Sequence, residues 1–449
     1  MKSKRLLSLA LAMLMLVAFA AVGAAEEEVV ELRVLYYVDL TSANAEDGIK
    51  IRFDDFEAEH PNIKIIREDL YTDAYHEKVE AYAAQGSIPD VLFTWPSGRS
   101  TTLRAKGLLK DLTPLIERDG LAEFLYPWAL DPANQTNGLV AIIPQEMTAT
   151  NAFFVNKKLL ADLGLEPAKT YSELVAQVPV LAAAGKDTIL MDNKQTWVMQ
   201  SCLFSLIAGR FCGEGWEQRI LSGEAKFTDD DFVAALTFVK QMYDDGVINQ
   251  STIAQDYGDS LGAFATDQAA YFVDGTWRTG AFITDMTTGI ALIDPERQAE
   301  DFFITVFPEI DVEGVKIPAR TNSGVVGTGY AISAALEDGS PKLEAAWELV
   351  KYFAGNKIET FMLNTGGISM PSRNDIDFDS LDLEPFQVMM SQLAVTEYDI
   401  TTVVIDGAFD GPVHTPLNDG LQAIGMGLQT PEEVAQIVQD ALEAWQAEQ

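Results

Sequence analysis

The sequence predicts an α/β protein of two or three domains, and three observations carry that prediction. Between residues 31 and 95 the hydrophobic pattern reads strand, helix, strand, helix, strand, the βαβ order of a parallel sheet covered by helices on both faces. At 449 residues the chain is too long for a single hydrophobic core. It has no internal repeat and no low-complexity linker, so two domains would have to be joined by several short crossings instead of one tether.

Each element follows in order. Lys2, Lys4 and Arg5 precede an apolar run from Leu6 to Val22, and Gly23-Ala24-Ala25 supplies small residues before Glu26. That layout predicts a secretory signal peptide over 1–25, removed from the mature chain. No cysteine stands near the cleavage site, so no lipid anchor is expected and the mature chain is assigned to the periplasm. "ELRVLYYVD" reads as the first strand, followed by a helix in which Ile49, Phe53 and Phe56 share a face and which Pro61 stops. "NIKIIRE" is a second strand, "YHEKVEAYAAQG" a helix ending at Gly86, and "PDVLFTW" a third strand. Around Pro144 lie two apolar strand-like runs, and a helix starts after Asn156. From there to about residue 265 the reading is mostly helical, with Thr228 as the N-cap of "FTDDDFVAALTFVKQMYDDGVIN" and Asp229 to Asp231 in its positive first turn. "VVGTGYAISAA", 325–335, reads as one Gly-rich strand. Ser340 and Pro341 open an amphipathic helix that stops at Gly355, and Thr430 opens the last one.

Composition excludes several functions. Without its three leader cations the chain keeps 28 Lys+Arg against 68 Asp+Glu, a net charge near −40. Such a surface repels phosphate backbones and anionic lipid, so neither nucleic acid nor a membrane surface is an expected partner. His60, His76 and His414 are not spaced as metal ligands, and no HExxH, CxxC, GxSxG, GxxxxGK or GxGxxG motif occurs. "DIDFDSLDLEPF" fails as a calcium loop, with Ser380 at the glycine position and Phe386 at the closing glutamate position. No metal and no cofactor is expected. Cys202 and Cys212 are the two cysteines. On one unbroken helix they would stand about 15 Å apart, beyond disulfide reach. Gly209 and Gly213 offer a bend, so bonded and free forms both stay open and the disulfide is the form expected.

What the chain does offer is large aromatic residues at strand ends. Tyr36 and Tyr37 come late in the first strand, Trp95 closes the third, and "DQAAYFVDGTWRTGAF" delivers Trp277 just past the end of its strand, beside Gly275 and Arg278. Ligands of parallel α/β sheets bind beyond the carboxyl ends of the strands. A flat indole there can receive the C–H face of a sugar ring while neighbouring polar groups take its hydroxyls.

Ordered along the chain, a set of segments resembles the extracellular sugar-binding proteins of ABC importers, the maltose-binding-like solute-binding family. They are "AAQGSIPDVLFTW", "KGLLKDLTPLIERDG", the run from "GLVAIIPQEM" to "TYSELVA", "DQAAYFVDGTW", "GTGYAISAA" with "SPKLEAAWELVKYFAG", "GISMPSRND" and "TPEEVAQIVQDAL". Leu139 to Ile142 and Tyr171 depart from the family's pattern. The resemblance implies a two-lobed periplasmic-binding-protein fold of type II, each lobe a mostly parallel sheet flanked by helices, joined by a multi-crossing hinge. The first lobe would hold 29–142 and 329–375, the second 143–328 and 376–449. It implies a monomer that binds a carbohydrate between the lobes without catalysis and delivers it to the transmembrane subunits of an ABC permease. Trp277 would be the stacking platform, Tyr37 and Trp95 the opposite wall, Glu146 and Asp274 hydroxyl acceptors, and Arg373 and His414 contacts from loops reaching the cleft. Trp347 sits in the apolar face of a helix and is expected in the core. An exported carbohydrate-active enzyme, or a binding protein for a non-sugar ligand, are the alternative readings.

Overall fold

The computed structural model describes residues 29–40, 45–95, 100–130, 139–285, 288–395 and 400–447; the expected signal peptide lies outside them. The described residues form twelve strands: β1 (Val30–Tyr37), β2 (Ile63–Leu70), β3 (Val91–Thr94), β4 (Ile142–Pro144), β5 (Met147–Ala149), β6 (Ala152–Asn156), β7 (Asp187–Leu190), β8 (Ala269–Asp274), β9 (Phe302–Thr305), β10 (Asn322–Val326), β11 (Gly329–Ile332) and β12 (Ile400–Val403). They build three sheets, in the orders β2-β1-β3-β11-β4, β7-β8-β6-β9 and β12-β10-β5.

The first sheet packs on a core that includes Leu32, Leu35, Phe56, Leu92, Ile143, Tyr330 and Trp347, the last of these fully buried in helix Pro341–Phe353 as its apolar stripe predicts. Its indole N–H donates to Asp119 at 2.7 Å. A second core, around Phe153, Leu203, Phe238, Tyr271 and Leu421, supports the second sheet, and its other face is covered by Phe154, Phe264, Phe272 and Phe386. The two large cores share no residue. The small third sheet joins them.

Each large sheet contains one reversed strand. β11 runs antiparallel to β3 and β4, and β6 runs antiparallel to β8 and β9, while β1–β2, β1–β3 and β7–β8 are parallel. Both reversed strands follow directly from the small sheet, β6 after β5 and β11 after β10. A chain entering a lobe from the crossing runs outward, opposite to strands that arrive through a helix.

Local chemistry explains most boundaries. Gly86 closes helix Thr72–Gln85 with φ 71°, where a side chain would be strained. Asn156, Ser340 and Thr430 each accept a backbone N–H of the following first turn.

Four expectations need correction. The run 325–335 is two strands broken at Gly327-Thr328, because the chain passes there from the small sheet to the first one. The stretch read as mostly helical, with no strand named in it, contains β7. The cap of helix Asp230–Asp244 is Asp229 in place of Thr228, and its carboxylate accepts from the Lys226 N–H. Cys202 and Cys212 are both free and buried. The helix continues from Trp197 through a π turn at Gln200–Phe204 to Cys212, and the chain turns only at Gly213, past the second thiol. Gly209 does not bend it. A β-carbon there would lie 2.7 Å from Thr402, so the glycine lets the helix approach β12. Denatured, unreduced protein should therefore titrate two thiols with a thiol-specific chromophore; none would restore the disulfide.

Candidate functional site

The carboxyl ends of β1, β2 and β3 point to one edge of the first sheet and carry a nest of aromatic rings. Tyr37, at the end of β1, stacks on Phe93 (5.5 Å between centroids, 8° between planes) and meets Trp95 edge-on at 5.3 Å. Tyr71 follows β2 and lies 4.8 Å from Tyr37, and His76, in the next helix, is 5.2 Å from Trp95. Tyr75 beneath them is buried, and its hydroxyl donates to the Phe93 carbonyl. Tyr37 and Trp95 are half-buried and Tyr71 is 41% exposed, so the nest has an open side.

The second sheet offers a matching edge. β8 ends at Asp274, Gly275 starts a 3-10 turn, and Trp277 rides on that turn half-buried. A β-carbon at Gly275 would run into the six-membered ring of Trp277, so the glycine makes the bed on which the indole lies. Trp197 stands 6.0 Å from Trp277 and 5.9 Å from Tyr257. The Arg278 guanidinium sits over the Tyr257 ring at 3.8 Å and donates to the Tyr257 carbonyl at 2.7 Å.

Asp274 is fully buried behind this wall. Its Oδ1 accepts from the Gly275 N–H at 2.7 Å and from the Cys202 thiol at 3.7 Å, and Arg278 Nε lies 3.4 Å from Oδ2. Burial raises its pKa, while Arg278 and the Trp277 N–H favour the charged form. Asp274 therefore orients Trp277 and Arg278 from behind. Asp192, two residues past β7, is also fully buried and is pushed up to about 6 by burial and then by the charge of Asp274.

The two edges come together. Tyr71 of the first sheet lies close enough to Arg278 and Asp274 of the second for their charges to act on its hydroxyl. Nearby, Thr102 Oγ1 donates to Asp410 Oδ2 at 3.5 Å, and Glu80 lies 4.0 Å from a β-carbon position on Gly411, one turn before His414. His414 is half-buried in the first turn of helix Gly411–Gly425.

Glu146 belongs to the crossings. The backbone at 145–147 is stitched on one side to Gly327 and Thr328 and on the other to Met370 and Ser372. The Glu146 carboxylate accepts from Thr328 Oγ1 at 3.0 Å, and its side chain lies against Gly327, where a β-carbon would collide with it. Burial pushes Glu146 up to about 7. Arg373, also at a crossing, is buried and committed: it binds the Asp375 carboxylate at 2.6 and 2.7 Å and the Ala354 carbonyl at 3.2 Å.

Of the seven residues singled out from sequence, Trp277 and Asp274 share one wall, and Tyr37 and Trp95 the other. His414 stands beside the inter-lobe contact, while Glu146 and Arg373 lie in the crossings. Sequence reasoning missed Asp192, Trp197, Tyr257, Tyr71 and His76. The signal for the first two was "DTILMDNKQTW", a short apolar run followed by an aspartate and then a tryptophan, the same layout as at Trp277.

A carboxyl group with a folded pKa near 7 and an unfolded one near 4.5 holds its proton longer in the folded chain. Its contribution is complete below about pH 4.5 and is lost as pH rises through 7. Denaturant unfolding between pH 5 and 8 should show Glu146→Gln gaining about 1–3 kcal/mol on wild type across that window. A pH-independent difference would refute the raised pKa of Glu146.

The sequence model of the bacterial extracellular solute-binding protein family matches residues 42–360. No curated protein matches the chain. Among solved structures, one from a study of xylan utilisation by the thermophilic bacterium Caldanaerobius polysaccharolyticus superposes with a TM-score of 0.79 at 22% identity, covering 92% of this chain and 99% of that one. A chitin oligosaccharide binding protein gives 0.79 at 21%, over 93% and 99%. The maltose/maltodextrin-binding domain MalE from Bdellovibrio bacteriovorus, bound to maltotriose, gives 0.68 at 17%, over 93% and 100%. Two large α/β sheets on separate cores, joined by short crossings, agree with a match across most of the chain: this protein belongs to the bacterial extracellular solute-binding protein family.

Proposed function

We propose that the protein is the exported binding component of an ABC importer and captures a carbohydrate between its lobes. The observation that carries this reading is the half-buried Trp277 ring laid on Gly275 at the end of β8, opposite the Tyr37–Tyr71–Trp95 nest. Aromatic faces on both walls suit the C–H faces of sugar rings, and the polar groups between them suit hydroxyls. The three structural neighbours, named for xylan utilisation, chitin oligosaccharide and maltotriose, support a saccharide over other solutes.

In this reading the first lobe comprises 29–142 and 329–375 and the second 143–328 and 376–449. Ligand closes the lobes because it touches both walls only when they meet. The closed form is what the permease recognises. The protein acts as a monomer and leaves the sugar chemically unchanged. The signal peptide takes the chain to the periplasm, and among the described residues no helix is long and apolar enough to cross a membrane.

Titration with a panel of oligosaccharides, followed by tryptophan fluorescence and by small-angle scattering, tests the reading. A ligand that quenches the signal and contracts the particle is expected. Trp277→Ala should weaken that ligand about tenfold or more, the worth of one well-placed aromatic contact, while Trp277→Phe retains part of it. Silence across the whole panel, or release of shortened sugars, would sink the proposal.

A further inference from the structure

The second lobe holds a cavity of about 210 Å³ away from the cleft. Phe302, Phe303 and Ile304 of β9 line it on one side, Met389, Gln392 and Leu393 of helix Pro385–Val395 on the other, and Lys157 completes it. Successive strand residues point to opposite faces of a sheet, so a cavity that meets three in a row runs along the strand's edge. β9 stands at the end of its sheet's strand order. Residues 389, 392 and 393 fall on one face of their helix. The cavity is therefore a slot between a strand edge and a helix face. Strand register fixes its place: β6 sets Ala152 beside Asp274 at the cleft end and Asn156 beside Phe302 at the other. The length of β6, roughly 13 Å, separates the two ends.

The lining is apolar with a single charge. Phe302, Ile304 and Leu393 are buried, and Phe303 and Met389 are half-buried. Two phenyl rings and a polarisable thioether favour an aromatic body over an alkyl chain. A cavity of about 150 Å³ already admits benzene, so this one has room for a ring and a short arm. The charge is the half-buried Lys157 ammonium, which donates to the Ala299 carbonyl at 3.1 Å and, among the described residues, makes no ion pair. An ammonium has three N–H donors, so two remain. The acids nearby are taken: Asp162 by Lys158, and Asp267 and Asp301 by Arg297, which lies over the Phe302 ring at 5.4 Å. A net charge of −37 repels anions overall, so an acid that binds here must also bring an apolar body to bury.

We infer that this slot is a second ligand site, outside the carbohydrate cleft, for a small aromatic monocarboxylate. The ring enters between Phe302, Phe303 and Met389, Leu393 covers it from the helix side, and the carboxylate meets the Lys157 ammonium. One charge at the end of an apolar slot matches an amphiphile of that shape. The site stands independently of the cleft, because it shares no residue with either aromatic wall.

Nuclear magnetic resonance of protein labelled at its methionine methyls tests this, with Met389→Leu identifying the Met389 signal. Phenylpropanoate should shift that signal saturably. Phenylpropanol, with the same body and no charge, should bind about fivefold more weakly, the worth of one half-buried ion pair. Propanoate, with the charge and no ring, should leave the signal unmoved. Lys157→Met should bring acid and alcohol within about twofold of each other. The comparison of acid with alcohol on the unaltered protein does not depend on that variant folding. Equal binding of acid and alcohol by wild type, or an unmoved Met389 signal with all three compounds, would overturn the inference and leave the carbohydrate reading untouched.

Discussion

The second wall of the cleft depends on one buried carboxylate. Asp274 ends β8 inside the protein, where an uncompensated charge would be costly, and the local backbone is arranged to meet it. The Gly275 N–H, the Cys202 thiol and Arg278 all converge on its oxygens. Holding Gly275 there leaves a flat bed without a β-carbon, and the Trp277 ring occupies it. Arg278 then lies flat on Tyr257, which Asp256 places by capping the helix that Tyr257 begins. A strand end, a glycine and an ion pair are thus enough to aim an aromatic plate into the cleft.

The hinge rests on a comparable economy. Three crossings lie side by side, with the segment at Glu146 between the other two. Gly327 allows the Glu146 side chain to lie flat between strands, and the hydroxyl of Thr328 satisfies it. Glu359 pins the third crossing by accepting from the Ser372 hydroxyl and the Arg373 N–H, and burial pushes it up to about 8. Backbone pairing and these two acids hold the three crossings together.

Much of this was legible in the residues. The βαβ alternation of the first lobe, the caps at Asn156, Ser340 and Thr430, the core position of Trp347 and the position of Trp277 past its strand all follow from local periodicity and turn chemistry. The missed strand β7 shows the limit. In this four-residue strand Thr188, Ile189 and Leu190 are buried in succession and carry no alternation, so the run reads equally as part of the helices around it. With β7 went Asp192 and Trp197, whose ring lies 6.0 Å from that of Trp277. Cys202 and Cys212 failed for the opposite reason: glycine suggested a bend, whereas Gly209 is there to admit Thr402 from a strand nearly two hundred residues away.

The sequence by itself determined the class of fold, the strand ends on which aromatic residues sit, and a strongly acidic net charge, because these depend on composition and on contacts between near neighbours. Which strand ends face one another was decided only by the tertiary structure. The pairing of Tyr71 with Arg278, of Thr102 with Asp410 and of Asp192 with Asp274 spans segments far apart in the chain. Such partners are chosen by how two cores pack around the crossings, and hydrophobic periodicity holds no record of that choice.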